Sequence, residues 1–95
     1  MTKEQIIEIK ELLSTPQNIV IIPHRNPDGD AIGSSLALYH YLKKEHSVSV
    51  VAPNDYPNFL KWMPSSDDVK LFDKQNKQSK RVLENASIVF LLDFN

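Results

Sequence analysis

Within the seven positions 24–30, the sequence sets out one imidazole and two carboxylates, His24, Asp28 and Asp30, with Asn26, Pro27 and Gly29 between them. Imidazole and carboxylate are both ligands for divalent first-row metals. A carboxylate-rich set with a single histidine suits a hard or intermediate ion such as Mn²⁺ better than a thiolate-bound zinc. The group follows directly on the apolar run Ile19-Val20-Ile21-Ile22-Pro23. Four consecutive β-branched residues fit a strand covered on both faces, and ligands of parallel sheets gather at the carboxyl ends of the strands. His24 falls at such an end. If the chain is in a tight loop there, turning through Pro27 and Gly29, Asp28 and Asp30 can both face inward. A helix after Asp30 would aim its positive end at the same crevice, a favourable place for phosphate. A plainer reading stands beside this one: Asn-Pro-Asp-Gly is an ordinary turn, either Asp can cap the helix, and a histidine at a strand end can be structural.

The elements that must position these residues can be read in order. Thr2 and Gln5 have the spacing of a capping box, and Ile6, Ile9, Leu12 and Leu13 recur at helical spacing until Pro16, which predicts a one-sided helix packed on the domain. A strand is expected over 18–23 and a second helix over about 31–45. In that helix the small residues Gly33, Ser34 and Ser35 allow close packing on strand and ligand. A strand at 47–52 completes a strand-helix-strand unit, hence a right-handed crossover and parallel pairing. Residues 53–57 (Pro-Asn-Asp-Tyr-Pro) break regular structure on the crevice side, as a plain turn or a loop that touches substrate. Phe59, Leu60, Trp62 and Met63 suggest a short helix on the core; base stacking by Trp62 requires that it be exposed.

Further on, a short strand is expected over 69–72 and a third helix from Lys74 to Glu84 or Asn85, with Lys74, Lys77, Lys80 and Arg81 on a solvated face. Asp67 and Asp68 lack an apolar strand to hold them and are not read as ligands; His40 and His46 are read as surface or boundary residues of the second helix and its exit, not as ligands. The apolar run 87–92 suits the middle of a sheet and delivers Asp93 at its carboxyl end, on the same edge as His24. Asn95 could line the same site. The fold class is therefore α/β, a parallel sheet with helices on both faces.

Composition narrows the functions. The 95 residues allow one small domain, and a formal net charge of −1 gives no overall pull toward nucleic acid. Without cysteine there is neither a disulfide framework nor a thiolate metal site. The amino terminus lacks the apolar core of a signal peptide and no apolar run approaches a bilayer-spanning length, so no membrane partner and a cytoplasmic location are expected.

His24-x-x-Pro27-Asp28-Gly29-Asp30-Ala31-x-Gly33-Ser34 after an apolar strand resembles the first motif of the DHH phosphoesterases, the superfamily of RecJ exonucleases, manganese-type pyrophosphatases and exopolyphosphatases. The likeness runs from about Gln17 to the end of the chain. It is strongest to the bacterial oligoribonuclease and 3′-phosphoadenosine-5′-phosphate (pAp) phosphatase branch. The resemblance implies a Rossmann-like DHH domain binding two Mn²⁺ ions, with Mg²⁺ or Co²⁺ as alternatives. His24 and Asp28 would lie mainly on one ion, Asp30 mainly on the other and Asp93 between them, so that Asp30 and Asp93 are catalytic through the metal. It implies hydrolysis of short oligoribonucleotides or pAp, with pyrophosphate or polyphosphate as the sister alternative, and leaves a homo-oligomer open. The Asp-His-His motif, a further ligand and a carboxy-terminal substrate-binding domain would all follow Asp93. Residues 1–95 then read as the amino-terminal part of a longer protein, inactive alone. A non-catalytic metal- or nucleotide-binding module and a purely structural α/β domain are the competing readings.

Overall fold

The computed structural model describes residues 2–92, with Phe59 by its backbone alone. Helix α1 (Lys3–Leu12) starts at the expected capping box, in which Gln5 N donates to Thr2 Oγ1 at 3.1 Å and Thr2 N to Gln5 Oε1 at 2.9 Å. It is not packed as expected. No residue of α1 is buried; Ile6, Ile7 and Leu12 are 42%, 53% and 53% exposed, and the helix is held chiefly through Leu13 just beyond its end. Its helical spacing is genuine, but the apolar face meets few neighbours among the described residues.

The remainder is a four-stranded parallel sheet built from β1 (Asn18–Pro23), β2 (Ser47–Ala52), β3 (Lys70–Leu71) and β4 (Ile88–Leu92), in the order β3-β2-β1-β4. The register runs Asn18↔Ser47 to Ile21↔Val50 on one side of β1 and Ile19↔Ile88 to Pro23↔Leu92 on the other. Helix α2 (Gly29–Leu42) crosses from β1 to β2, and α3 (Asn76–Glu84) returns from β3 to β4. Right-handed crossovers that step in opposite directions place their helices on opposite faces. Accordingly Ile32 and Leu36 of α2 join Ile19, Ile21, Val50 and Ala52 in one core. On the other face Val20 and Ser49 look across a cavity of about 310 Å³ at Arg81, Val82 and Asn85, on α3 and at its end.

Several boundaries move. The second helix begins two residues earlier than expected and stops at Leu42, while the aromatic and apolar stretch after β2 forms only a 3-10 turn, Asn58–Leu60, followed by another at Ser66–Asp68. The β4 run, expected in mid-sheet, is an outer strand among the described residues. Its burial alternates, with Val89 47% and Leu91 63% exposed.

Because Ile32 is fully buried at the centre of the α2 face, its replacement by Ala removes packing on both β1 and β2. Ile32→Ala should cost about 2–5 kcal/mol in urea unfolding. Ile7→Ala on the exposed side of α1 should change stability by less than about 0.5 kcal/mol.

Candidate functional site

The sheet order makes β1 the strand from which the chain first steps outward to β2 and β3 and then returns to β4. The carboxyl ends of β1 and β4 therefore flank the topological switch point, where open α/β sheets form their binding crevice. His24 follows β1 at this point. Its ring is 25% exposed, and its Nδ1 lies 2.7 Å from the Arg25 carbonyl oxygen. A carbonyl only accepts, so Nδ1 carries the proton in this contact and Nε2 is the lone-pair nitrogen of the neutral ring. Nε2 stands 3.9 Å from Asp28 Oδ1.

The turn is made differently from the sequence expectation. Gly29 is already helical and no glycine has a positive φ; the left-handed residue is Asn26, at φ 54°. Asn tolerates this region better than other residues with a side chain. Pro27 then enters the interior, almost fully buried, and Asp28 becomes the N-cap of α2, with Oδ1 accepting Ala31 N–H at 2.9 Å. The capping role considered for Asp28 is thus real. It does not exhaust the carboxylate, which offers about four lone-pair sites. A Cβ at Gly29 would sit 3.7 Å from Leu60 Cδ2, an ordinary contact, and one at Gly33 would meet nothing within 4 Å among the described residues. Packing demands a glycine at neither position.

Of the expected ligands, the structure brings together His24 and Asp28. Two donors on one ion stand at most about 4.4 Å apart at metal–ligand distances near 2.0–2.2 Å, and closer unless they are opposite each other. The 3.9 Å pair lies inside that limit, with its imidazole oriented through Nδ1. Asp30 is not drawn inward: it is an exposed residue of the first turn of α2, where its charge favours the helix N-terminus. Asp93, and with it Asn95, lies outside the described residues. Among the described residues no group of three or more potential ligands converges. Asp67 and Asp68 are exposed on a 3-10 turn, with Asp68 Oδ2 3.4 Å from Tyr39 Oη. His46 Nδ1 accepts Gln17 N–H at 3.0 Å at the opposite end of the sheet, and His40 Nε2 is buried with no hydrogen-bond partner among the described residues.

Sequence reasoning left the loop after β2 undecided, and this loop braces the site. Asn54 Oδ1 accepts Asn26 N–H at 2.7 Å while Asn54 Nδ2 donates to Asn26 Oδ1 at 2.6 Å. The signal was available in the register: the β1–β2 offset, continued past the strand ends, carries Asn26 to within one position of Asn54. The neighbouring Asp55 accepts from Lys61 Nζ at 2.7 Å, Lys74 Nζ at 3.1 Å and Tyr56 N at 2.8 Å. The Lys61 hydrogen bond first, then that from the Tyr56 backbone, hold its carboxyl down at about 2. Lys61 is pushed up by the same contact.

A doubly wound α/β domain with a histidine and a carboxylate at its switch point, beside a helix N-terminus, is a recognisable class of ligand-binding domain. The model of the DHH family, N-terminal domain, matches residues 18–95, and the chain belongs to the DHH family. It is 38% identical over 65 residues to the bifunctional oligoribonuclease and PAP phosphatase NrnA of Thermus thermophilus, covering 66% of this chain. The crystal structure of an exopolyphosphatase-related protein from Bacteroides fragilis superposes on the whole chain with a TM-score of 0.91 and 41% identity. The chain spans 18% of the first relative and 29% of the second.

Two outcomes separate the structural roles. Asp28→Ala should lower stability by about 0.5–2 kcal/mol through loss of the cap, whereas Asp28→Asn, an equally good cap, should not. The Asp55 contacts lower its folded pKa, so their stabilisation is complete above the ordinary carboxylate value of 3.8 and is lost as pH falls toward about 2. The melting temperature of the native chain should therefore exceed that of Asp55→Asn near neutrality, and the gap should close over that acid interval.

Proposed function

We propose that this chain supplies the first metal ligands of a divalent-metal-dependent phosphoesterase. The observation that carries the reading is the His24–Asp28 pair at the switch point, with Nε2 and Oδ1 3.9 Å apart and the imidazole oriented by the Arg25 carbonyl. Family membership supports it. In this reading His24 and Asp28 hold one ion, Asp30 contributes to a second, and Asp93 serves both. The remaining ligands come from outside these residues, in a longer protein. A pair of divalent ions, when bound, supplies charge stabilisation on the phosphate oxygens and water of lowered pKa.

The chain's own part is positional. Asp28 ties its carboxylate to the helix start, His24 presents a neutral nitrogen, and the α2 N-terminus faces the place where anionic phosphate would sit. No protein nucleophile is required; Ser35 Oγ on α2 is buried with no hydrogen-bond partner among the described residues.

Short oligoribonucleotides and pAp are the proposed substrates and Mn²⁺ the proposed metal, with Mg²⁺ or Co²⁺ as substitutes. Similarity to the oligoribonuclease and PAP phosphatase supports the substrate choice. The exopolyphosphatase-related neighbour favours a second reading, polyphosphate hydrolysis at the same site. No helix of the described residues is long and apolar enough to cross a membrane, which supports the proposed cytoplasmic setting.

The test is hydrolysis by the intact natural protein of pAp, a short oligoribonucleotide and polyphosphate, with and without Mn²⁺. Turnover of the first two should depend on added metal and fall by more than tenfold in Asp30→Ala and in Asp93→Ala. Retention of more than a tenth of the activity by either variant would remove that residue from the site, and turnover of polyphosphate alone would decide for the second reading.

A further inference from the structure

We infer that Asn54, from the loop after β2, is a positioning residue that fixes the metal-binding loop through Asn26; this rests on the metal-site reading above. Asn26 is the hinge of that loop. Its φ of 54° lies in the bend between His24 and Asp28, so a change of this backbone conformation would alter the separation of Nε2 and Oδ1.

Nothing intrinsic to Asn26 holds it there, because the left-handed region is only tolerated by Asn. The two hydrogen bonds to Asn54 hold it instead. One binds the Asn26 backbone and the other its side chain, at 2.7 and 2.6 Å, so the residue cannot rotate without losing both. Asn54 is itself half-buried and directly precedes Asp55, whose carboxylate is pinned by Lys61, Lys74 and the Tyr56 amide. The brace therefore reaches the site loop from an anchor in the loop after the neighbouring strand, in the manner of outer residues that orient metal ligands.

The bonding pattern makes it testable. Asn54 accepts from the Asn26 N–H and donates to Asn26 Oδ1. Asn26→Asp preserves both bonds, since a carboxylate still accepts from Asn54 Nδ2. Asn54→Asp also keeps them, because the Asn26 amide can turn its own Nδ2 toward the new carboxylate. Asn54→Ala and Asn54→Leu lose both bonds and bring no charge. Charge alone would leave these two variants native-like in metal binding; positioning makes them weaker.

The experiment is direct titration of Mn²⁺ into the metal-free intact protein, with the metal-free melting temperature as the control for folding. Asn54→Ala and Asn54→Leu should raise the Mn²⁺ dissociation constant about tenfold or more, as loss of an orienting partner does, while Asn26→Asp and Asn54→Asp should bind no more weakly than the native protein. If neither Asn54→Ala nor Asn54→Leu folds, Asn26→Gly, which accepts the left-handed backbone but lacks Oδ1, should show the same weakening. Native-like Mn²⁺ affinity in a folded Asn54→Ala or Asn54→Leu, or equal weakening in Asn26→Asp and Asn54→Ala, would overturn the inference and leave the metal site standing. Failure of the native protein itself to bind Mn²⁺ would overturn the metal-site reading, and this inference with it.

Discussion

Parallel pairing of β1 on both of its sides is the constraint from which the rest of the structure follows. A parallel strand between two others cannot leave either face to water without exposing its β-branched residues, and Ile19, Val20 and Ile21 are all at most 1% exposed. Covering both faces requires helices on both, and right-handed crossovers achieve this only if the chain steps away from β1 in one direction and returns in the other. The switch point at the carboxyl end of β1 is thus a consequence of burying that strand. His24 is placed at a crevice by the same physics that buries Ile21.

The way α2 starts ties stability to chemistry. Four N–H groups at a helix start need partners, and here Asp28 provides one while standing 3.9 Å from the imidazole. A flexible carboxylate would lose rotamer freedom on taking up a cation; one already bonded to Ala31 N has lost much of it on folding. The helix start and the ligand pair therefore favour the same side-chain conformation. The plain reading of Asp28 as a cap and the functional reading as a ligand describe one geometry.

The strands, the two long helices and the parallel topology were legible because period, β-branching and turn chemistry all pointed the same way. His24 falls at the end of β1, where the sequence placed it, and Asp28 at the start of α2. What sequence could not supply was how the turn is executed. Glycine is the usual left-handed residue, so Gly29 drew attention, yet the reversal falls on Asn26 and Gly29 joins the helix. That shift of register puts Asp30 on an exposed helical turn instead of in a loop facing inward. Helical spacing in α1 likewise announced an apolar face without saying what it meets, and Ile7 meets little. Asn54 escaped notice for a different reason. A lone Asn in a turn is unremarkable until the sheet register sets it against another Asn from the loop after the adjacent strand.

Electrostatics divides the crevice edge into a cationic part and an acidic one. Lys61 and Lys74 both bind Asp55, with Lys61 Nζ also 5.0 Å from the Tyr56 ring centroid. Two ammonium groups share one carboxylate, so a single positive charge is left over, screened beyond a Debye length of about 8 Å at physiological salt. Asp28 and Asp30, by contrast, lie within one turn of helix, with Asp28 Oδ1 3.9 Å from the His24 imidazole. A cation approaching the start of α2 meets the Asp28 carboxylate, with that of Asp30 exposed on the same turn, and the partial positive charge of the helix N-terminus acts against both. That residual positive end, too weak to repel a divalent ion from two carboxylates, is well suited to a phosphate brought in alongside it.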